Sequence, residues 1–140
     1  MRIEFDVPGQ PFGKQRPRFA GHAYTPPETV AYEEKIKWAF RAAHGKQFDK
    51  GIPLTLQIFA GYPIPKSVSK VRREAMIRDE AMPIVKPDLD NVLKIVADAL
   101  NKLAYADDAQ VCEMYVRKYY AEVPKLHIVI EETEATRGVG

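Results

Sequence analysis

Five aspartates, spread from position 88 to position 108, are the residues of this sequence best suited to chemistry. The first two, Asp88 and Asp90, follow Pro87, which cannot lie inside a helix, and an amphipathic pattern begins at Leu89. The two acids are therefore expected to flank a helix amino terminus. Carboxylates in that position either cap free amides or hold a cation, and the spacing alone leaves both interpretations open.

A second acidic pair, Asp107 and Asp108, precedes an apolar run and is expected at a turn that enters a strand. A helix start and a strand start can meet in a folded domain. Four clustered carboxylates would then repel each other and shift their pKa values unless a cation lay between them. Oxygen ligands of this kind suit a hard divalent metal, so the two pairs together predict a metal site.

The helix between the two acidic pairs is predicted from an apolar stripe. Its members step by four, three, four and three residues: Leu89, Leu93, Val96, Leu100 and Leu103. On another face, Asp90, Lys94 and Asp98 step by four and project from one side. Lys94 can therefore neutralise the two neighbouring aspartates, or it can contact a phosphate as a fixed cation.

Two basic segments are candidates for contacts with a polyanion. The loop at residues 12–19 has two phenylalanines and no acid, and it carries three cations: Lys14, Arg16 and Arg18. Residues 66–78 have five cations and one acid, and the cations predicted to contact phosphates are Lys66, Lys70, Arg72 and Arg73. Both compositions suit phosphate binding, and a solvated basic surface is the alternative for each.

Composition sets loose limits on the class of protein. A chain of 140 residues suits one domain with one core, and a net charge of +2 is too small to indicate nucleic-acid binding by itself. No apolar stretch is long enough to span a bilayer and no signal-peptide core is present, so we expect a cytoplasmic protein without membrane contact. The single cysteine, Cys112, excludes an internal disulfide, and its alternation with Met114 and Val116 predicts a buried strand position.

The remaining elements are predicted in the order β-α-β-(α)-α-β-β. Alternating apolar residues predict strands near residues 3–7, 54–60, 111–120 and 126–130. The segment Thr25-Pro26-Pro27-Glu28 predicts a capping box, with Thr25 at the N-cap, and a helix that runs to about His44 with Gly45 at its C′ position.

These elements predict an α+β fold. Residues 1–132 are expected to form one compact domain in which a small mixed β-sheet packs against two or three helices. Residues 66–78 have only a thin apolar face and are predicted to form at most a short helix. The last residues, 133–140, lose apolar content and are predicted to be a disordered tail.

Together the motifs resemble those of the RusA family of Holliday-junction resolvases, over roughly residues 3–130. The elements that recur in order are Asp88-Leu89-Asp90-Asn91, Lys94, Asp98-Ala99-Leu100 and Asp107-Asp108-Ala109-Gln110-Val111. The loop at residues 11–18 and the helix after Thr25 resemble the opening segment of the family. The resemblance implies a small homodimeric endonuclease that depends on Mg²⁺, with Mn²⁺ as a substitute. It also implies a four-way or branched DNA substrate, nicked symmetrically in recombination and repair.

The resemblance also implies roles for single residues. Asp88, Asp90 and Asp108 correspond to the metal-binding carboxylates, and Lys94 corresponds to the motif lysine. Asp107 is a further candidate ligand, while Asp98 matches a family acid without a defined role. The chemistry is consistent, because hydrolysis of a phosphodiester needs positive charge at the scissile phosphate and a metal-bound water of lowered pKa.

Two other classes of function stay open. A non-catalytic DNA-binding module could use the basic segments alone, but carboxylates near phosphates weaken binding unless a metal screens them. A phosphatase of the haloacid-dehalogenase type could use Asp88 and Asp90, but only about fifty residues follow, which is too few for a doubly wound domain. A nicking assay on branched DNA with and without Mg²⁺ distinguishes these alternatives.

Overall fold

The computed structural model describes residues 1–134, which fold into one compact α+β domain with three helices and six strands. The strands are β1 (Arg2–Pro8), β2 (Arg18–Phe19), β3 (Ala23–Tyr24), β4 (Leu54–Pro63), β5 (Val111–Ala121) and β6 (Lys125–Glu132). The helices are α1 (Pro27–Ala42), α2 (Lys70–Ile77) and α3 (Leu89–Leu100), and a short 3-10 turn spans Asp108–Gln110. The predicted fold class is confirmed.

Four strands form a mixed sheet in the order β1-β6-β4-β5. Strand β6 is antiparallel to β1 and β4, whereas β4 and β5 are parallel and pair from Leu54–Val111 to Pro63–Ala121. Two parallel strands must be joined by a crossover connection. Helix α3 lies in the connection between β4 and β5, so α3 runs back from the end of β4 to the start of β5. Strands β2 and β3 form a separate hairpin that the sequence pattern did not predict.

The core lies between the sheet and helices α1 and α3. Buried residues alternate along β1, where Ile3, Phe5 and Val7 face the helices, and the same alternation continues in β6 and β4. Helix α1 packs against both α3 and β1, so the helices form one layer over one face of the sheet. Among residues 1–134, no helix has the length and apolar content needed to cross a bilayer.

The start of α1 differs from the predicted capping box. Pro26, rather than Thr25, occupies the N-cap position, Pro27 is the first helical residue, and no side-chain hydrogen bond caps this end. The prediction was wrong by one residue because either of two adjacent prolines can occupy the first helical position. Proline at that position loses no hydrogen bond, since its missing N–H would have had no intrahelical partner.

The end of α1 also differs from the prediction. The helix ends at Ala42, and the left-handed C′ residue is His44, with φ 59°, rather than Gly45. The N–H of Gly45 donates to the carbonyl of Phe40 at 3.0 Å, which completes the C-terminal motif. A Cβ on Gly45 would lie 2.6 Å from the Phe40 ring, so close packing, not backbone conformation, requires glycine there.

Helix α3 buries a different set of side chains from the predicted stripe. The buried residues are Val92, Ile95, Val96, Ala99 and Leu100. Leu89 and Leu93 are only half-buried, and Leu103 lies beyond the end of the helix. The reason is that α3 contacts both the sheet and α1. The buried face of the helix is therefore wider than the predicted stripe and is rotated away from Leu89 and Leu93.

Two further predictions are tested by the structure. Cys112 is exposed, not buried, because β5 is an edge strand that pairs only with β4 among the described residues. The predicted short helix within residues 66–78 is present as α2, and the Ser69 hydroxyl caps it by accepting from the N–H of Arg72. Residues 135–140 of the predicted disordered tail lie outside the described residues.

Candidate active site

The amino end of α3 carries two exposed carboxylates, Asp88 and Asp90. Asp88 occupies the N-cap position, and its backbone carbonyl accepts from the N–H groups of Asn91 and Val92, each at 3.1 Å. Its side chain makes no capping hydrogen bond, and Asp90 follows in the first turn. Both side chains are exposed at the positive end of the helix dipole. The capping interpretation therefore does not explain Asp88.

Side chains from the sheet hold the loop that precedes α3. The Tyr62 hydroxyl, at the end of β4, donates to the carbonyl of Pro87, and the Lys118 ammonium, on β5, donates to the carbonyl of Val85. The Lys118 Nζ also lies 5.1 Å from the centre of the Tyr62 ring. Burial raises the pKa of Tyr62 to about 12, and the charge of Asp88 adds to the rise, so the hydroxyl remains a donor.

Neither Tyr62 nor Lys118 was predicted as part of the site. Both lie on strands that pattern analysis assigns to the sheet, and nothing in their spacing links them to the acidic motif. The available signal was position alone, because residues at the end of a strand that precedes a crossover helix lie beside that helix's start.

A cleft of about 610 Å³ lies beside Asp88, between the loop at residues 10–15 and residues 86–91. The N–H of Lys14 donates to the carbonyl of Asn91 at 2.8 Å and fixes the loop on α3. A Cβ on Gly13 would lie 2.7 Å from the Cβ of Pro87, so glycine permits this close approach. The cleft is therefore bounded by the basic loop on one side and by the acidic motif on the other.

Lys14 itself is already engaged within the protein. Its Nζ lies 3.1 Å from a carboxylate oxygen of Glu33 on α1 and 3.1 Å from one of Asp98 on α3, and its side chain is 22% exposed. Burial opposes the charge of Lys14, but hydrogen bonds to both carboxylates raise its pKa above the ordinary value. This arrangement favours a structural role over the predicted phosphate contact.

Lys94 is exposed one helical turn beyond Asp90. Within residues 1–134 it forms no ion pair with Asp90 or Asp98, and Asp98 pairs with Lys14 instead. The interpretation of Lys94 as a neutralising partner is therefore not supported by the structure. Its charge remains available to an anion at the amino end of α3.

The other predicted phosphate-binding residues lie at the same end of the domain. Arg16 and Arg18 are exposed beside the start of α1, and Arg18 lies 3.4 Å from Glu28. Helix α2 packs against β5, and Arg73 approaches Glu122, just after the end of that strand, at 3.8 Å. The remaining cations of this group are also exposed: Lys66, Lys70 and Arg72. The structure thus brings both basic segments to the end that carries Asp88 and Asp90.

The second acidic pair lies at the carboxyl end of α3. Gln110 fixes its turn, because the side-chain amide donates to the carbonyls of Asp49 and Ile52 at 2.9 and 3.1 Å. Asp107 accepts from the N–H of Ala109 at 3.0 Å. That hydrogen bond, with contributions from Asp108 and the positive charge of Lys102, lowers the pKa of Asp107 below its ordinary value.

The structure does not bring the two acidic pairs together within one chain. Helix α3 has 12 residues, which corresponds to about 18 Å between its ends. The Tyr105 hydroxyl, three residues before Asp108, donates to the carbonyl of Ala97 at 3.1 Å, which places this segment beside the later turns of α3. Within residues 1–134, no three or more acidic, histidine or cysteine side chains are grouped to hold a metal ion.

The predicted cluster of four carboxylates is therefore wrong for a single chain. The prediction assumed that a helix start and the following strand start can meet. In a β4–α3–β5 crossover the helix separates them by its whole length, because β4 and β5 are parallel.

Comparison with known proteins identifies the family. The family model described as "Endodeoxyribonuclease RusA" matches residues 8–131, which is nearly the whole chain. The chain belongs to the RusA family. The YqaN protein of Bacillus subtilis (strain 168), which is described as uncharacterized, is 33% identical over 95% of this chain and 98% of its own length. RusA membership implies an endodeoxyribonuclease of the Holliday-junction-resolving type that acts on branched DNA.

Nucleases of the RusA type in general use a divalent metal. The candidate ligands in this chain are of the right chemical type for such a metal, but too few of them lie together. The conspicuous acids of the motif are all aspartates, which supply the hard oxygen ligands that such metals prefer. However, each end of α3 contributes only two of them. A single copy of this chain therefore does not bring Asp88, Asp90 and Asp108 together into one metal site.

Proposed function

We propose that this protein is a Mg²⁺-dependent, structure-selective endonuclease that resolves Holliday junctions by paired symmetric nicks. The observation that carries the proposal is the amino end of α3. There, the exposed carboxylates of Asp88 and Asp90 and the side chain of Lys94, which has no ion-pair partner among residues 1–134, lie at the same end of the domain as two exposed basic segments. Such an arrangement suits a DNA backbone that is held by cations and cut beside carboxylates. The proposed process is recombination and repair of DNA, and the proposed location is the cytoplasm.

The proposed catalytic residues are Asp88, Asp90, Lys94 and Asp108. The carboxylates are the proposed metal ligands, with Asp107 as a further one, in the homodimer that the family resemblance implies, since the two ends of α3 lie about 18 Å apart within one chain. Mn²⁺ is expected to replace Mg²⁺ because both accept oxygen ligands. Lys94 is assigned to the scissile phosphate, where a fixed cation stabilises negative charge that develops during cleavage.

The proposed DNA-binding residues act on phosphates that flank the cleaved bond. They are Arg16, Arg18, Lys66, Lys70, Arg72 and Arg73. All six are exposed, and those of α2 project from a short helix with few buried contacts. We propose that Lys14 holds the loop in place and does not contact DNA, because its charge is already paired with Glu33 and Asp98.

The test is cleavage of a synthetic four-way junction, mapped to single nucleotides, with linear duplex of the same sequence as the reference substrate. We expect paired nicks at symmetric positions with Mg²⁺ or Mn²⁺, and no cleavage with EDTA. Glu34→Gln is a matched control, since it removes an exposed carboxylate on α1 whose only ion-pair partner among residues 1–134 is Lys37. Tight junction binding without cleavage under any metal would contradict the proposal and favour a non-catalytic binding module.

A further inference from the structure

The free edge of the sheet and a groove beside it point to a docking site for another protein. We propose that an extended segment of a partner protein adds to β1 as a further strand, with basic side chains over the open face of the sheet and large apolar side chains in the groove. The inference does not depend on the proposed nuclease activity, because none of the residues that form this surface belongs to the candidate active site.

Strand β1 lies at one edge of the four-stranded sheet, and half of its backbone groups point outward. In an antiparallel pair, every second residue exchanges hydrogen bonds with the neighbouring strand. The carbonyl of Met1 accepts from Glu132 and the N–H of Gly9 donates to Pro124, so the odd-numbered residues of this strand bond to β6. The even-numbered residues therefore direct their backbone groups away from the sheet, and no hydrogen bond within residues 1–134 reaches those groups.

The edge has few of the features that protect a strand from further pairing. Its seven residues pair with β6 without a bulge, and only Pro8, at the end of the strand, lacks an N–H. Bulges, interior prolines and very short edge strands are the usual means of blocking an edge. The outward N–H and carbonyl groups of Glu4 and Asp6 are therefore available to a further strand.

A groove of about 660 Å³ lies between β1 and α1, directly beside this edge. Its lining includes Phe5 of β1 and Ala39 and Ala42 of α1, and the Trp38 side chain stands beside them, 72% exposed. Phe5 faces the helices, so the residue opposite it in an added strand points its side chain towards the same face and into the groove. The volume lies in the range of ligand sites and suits large apolar side chains.

The open face of the sheet determines the other side chains of the partner segment. Glu4 and Asp6 project from that face at the edge, and the groups that pair with them lie on β1 itself or on β6. The outer side of each carboxylate therefore faces the position of an added strand. Residues directly opposite in neighbouring strands interact, and opposite charges there are favourable. Lysine or arginine at alternate positions of the segment complements this edge.

Two other occupants of the edge are less suited to it. A second copy paired through its own β1 places Glu4 of one chain opposite Glu4 or Asp6 of the other in the registers with the greatest overlap, and like charges directly opposite are destabilising. The carboxyl-terminal tail starts on the far side of β6, because the N–H of Thr133 donates to the carbonyl of Pro53, next to β4. Charge and position thus favour a separate, basic partner segment.

The test uses the full chain and a capped synthetic peptide as long as β1, in which lysine and leucine alternate. Trp38 is the single tryptophan of the protein, so its fluorescence reports occupation of the groove. We expect saturable binding with a blue-shifted Trp38 emission. Nuclear magnetic resonance should show slower amide hydrogen exchange at Glu4 and Asp6 in the complex. A peptide with glutamate in place of lysine should bind at least about tenfold more weakly, because it places like charges opposite each other.

N-methylated peptides test whether binding uses the backbone of the edge. Only alternate N–H groups of an added strand face its neighbour, and in antiparallel pairing here they belong to the lysines. Methylation of the lysine N–H groups should therefore abolish binding. Methylation of the leucine N–H groups is the matched control and should leave affinity nearly unchanged. Equal affinities of the two methylated peptides would overturn the inference.

Trp38→Ala tests the groove, at an exposed helical position where alanine should preserve folding. Loss of this large aromatic contact should lower peptide affinity by at least about tenfold, measured by the exchange of the edge amides. Val30→Ala, at an exposed position on α1 outside the groove, is the control and should bind as wild type does. Wild-type affinity in Trp38→Ala would contradict the proposed site.

The exchange of the edge amides without peptide distinguishes the other occupants. We expect the N–H groups of Glu4 and Asp6 to exchange rapidly in the free protein at every concentration. Protection that disappears on dilution would identify a second copy as the occupant. Protection that disappears when residues 135–140 are deleted would identify the tail. Either result would overturn the assignment of this edge to a partner protein.

Discussion

The ammonium of Lys14 lies 3.1 Å from a carboxylate oxygen of Asp98, two turns along α3 from Asp90. The same ammonium contacts Glu33, so a single lysine joins the basic loop to both α1 and α3. This contact separates Lys14 from Arg16, although both lie in one basic segment of the sequence. Lys14 is bound within the protein, whereas Arg16 is exposed.

The first prediction follows from this difference. Lys14→Met should lower the free energy of unfolding in urea by about 1 kcal/mol, the upper range for such a pair, and leave the salt dependence of junction binding nearly unchanged. Arg16→Met should have little effect on stability but should reduce the slope of log affinity against log salt by about one unit. If Lys14→Met reduces the slope as Arg16→Met does, Lys14 contacts DNA after all.

The second prediction concerns the acids at the amino end of α3. Asp90→Asn should remove most cleavage at saturating Mg²⁺, because it removes a proposed metal ligand. Junction binding should be kept or become tighter, since a negative charge near phosphate is lost. Glu34→Gln is the control, and both quantities should stay at wild-type values in it. Cleavage by Asp90→Asn near the wild-type rate would show that Asp90 is not a ligand.

The third prediction separates turnover from binding. Lys94→Ala should depress the single-turnover cleavage rate far more than junction affinity, because its charge is assigned to the scissile phosphate. Arg72→Ala should weaken binding and reduce the salt slope by about one unit, with the rate on saturated enzyme nearly unchanged. Equal losses of rate in both variants, with unchanged slopes, would contradict this division of roles.

The fourth prediction is an alkaline loss of stability that involves Tyr62. Its pKa rises from an ordinary value of 10.0 to about 12 in the folded protein, so between these values the folded state keeps a proton that the unfolded state releases. The free energy of unfolding should therefore fall as pH rises from about 10 to 12, and the raised pKa of Lys14 acts in the same direction.

Tyr62→Phe should show a smaller decline over that range, because it lacks the titrating hydroxyl. At pH 8 it should be less stable than wild type by about 1 kcal/mol, the cost of the lost hydrogen bond to Pro87. Urea unfolding at several pH values provides the measurement, and Tyr24→Phe, on the exposed hairpin, is the control. An identical alkaline decline in wild type and Tyr62→Phe would assign the titration to other groups.

The sequence predicted the elements of this fold well because their patterns are local. Alternation along β1 and β4 and the apolar periodicity of α3 each depend on neighbours in the chain, and these elements are present. The buried set of α3 was predicted less well, since contact with α1 as well as the sheet selects Val92 and Ile95. Cys112 was misplaced for a similar reason, because an edge position depends on strand order, which the pattern of one strand does not contain.

The candidate site shows the same limit more sharply. The residue types and their spacing were sufficient for the family motif, and the family is confirmed. The spatial relation between Asp90 and Asp108 was not predictable from their spacing, because it depends on β4 and β5 being parallel. The contacts of Tyr62 and Lys14 depend on segments far apart in the chain, and no local pattern reports them.

The last prediction addresses resolution, which needs two cuts for each junction. A single site could nick one strand and leave a half-cut junction, whereas a two-fold dimer binds once and cuts twice before release. Dimers that combine one wild-type chain with one Asp90→Asn chain contain one intact site, whether each site lies within a chain or between chains. They should therefore nick readily but resolve poorly.

A supercoiled plasmid with a cruciform distinguishes these products, since one nick gives an open circle and paired nicks give a linear molecule. Wild-type protein should give mostly linear product, and the mixed dimers should shift the product towards open circle. A mixture of wild type with Glu34→Gln is the control and should keep the linear product. If wild-type protein sediments as a monomer both free and on the junction, yet gives mostly linear product, then resolution does not require the dimer.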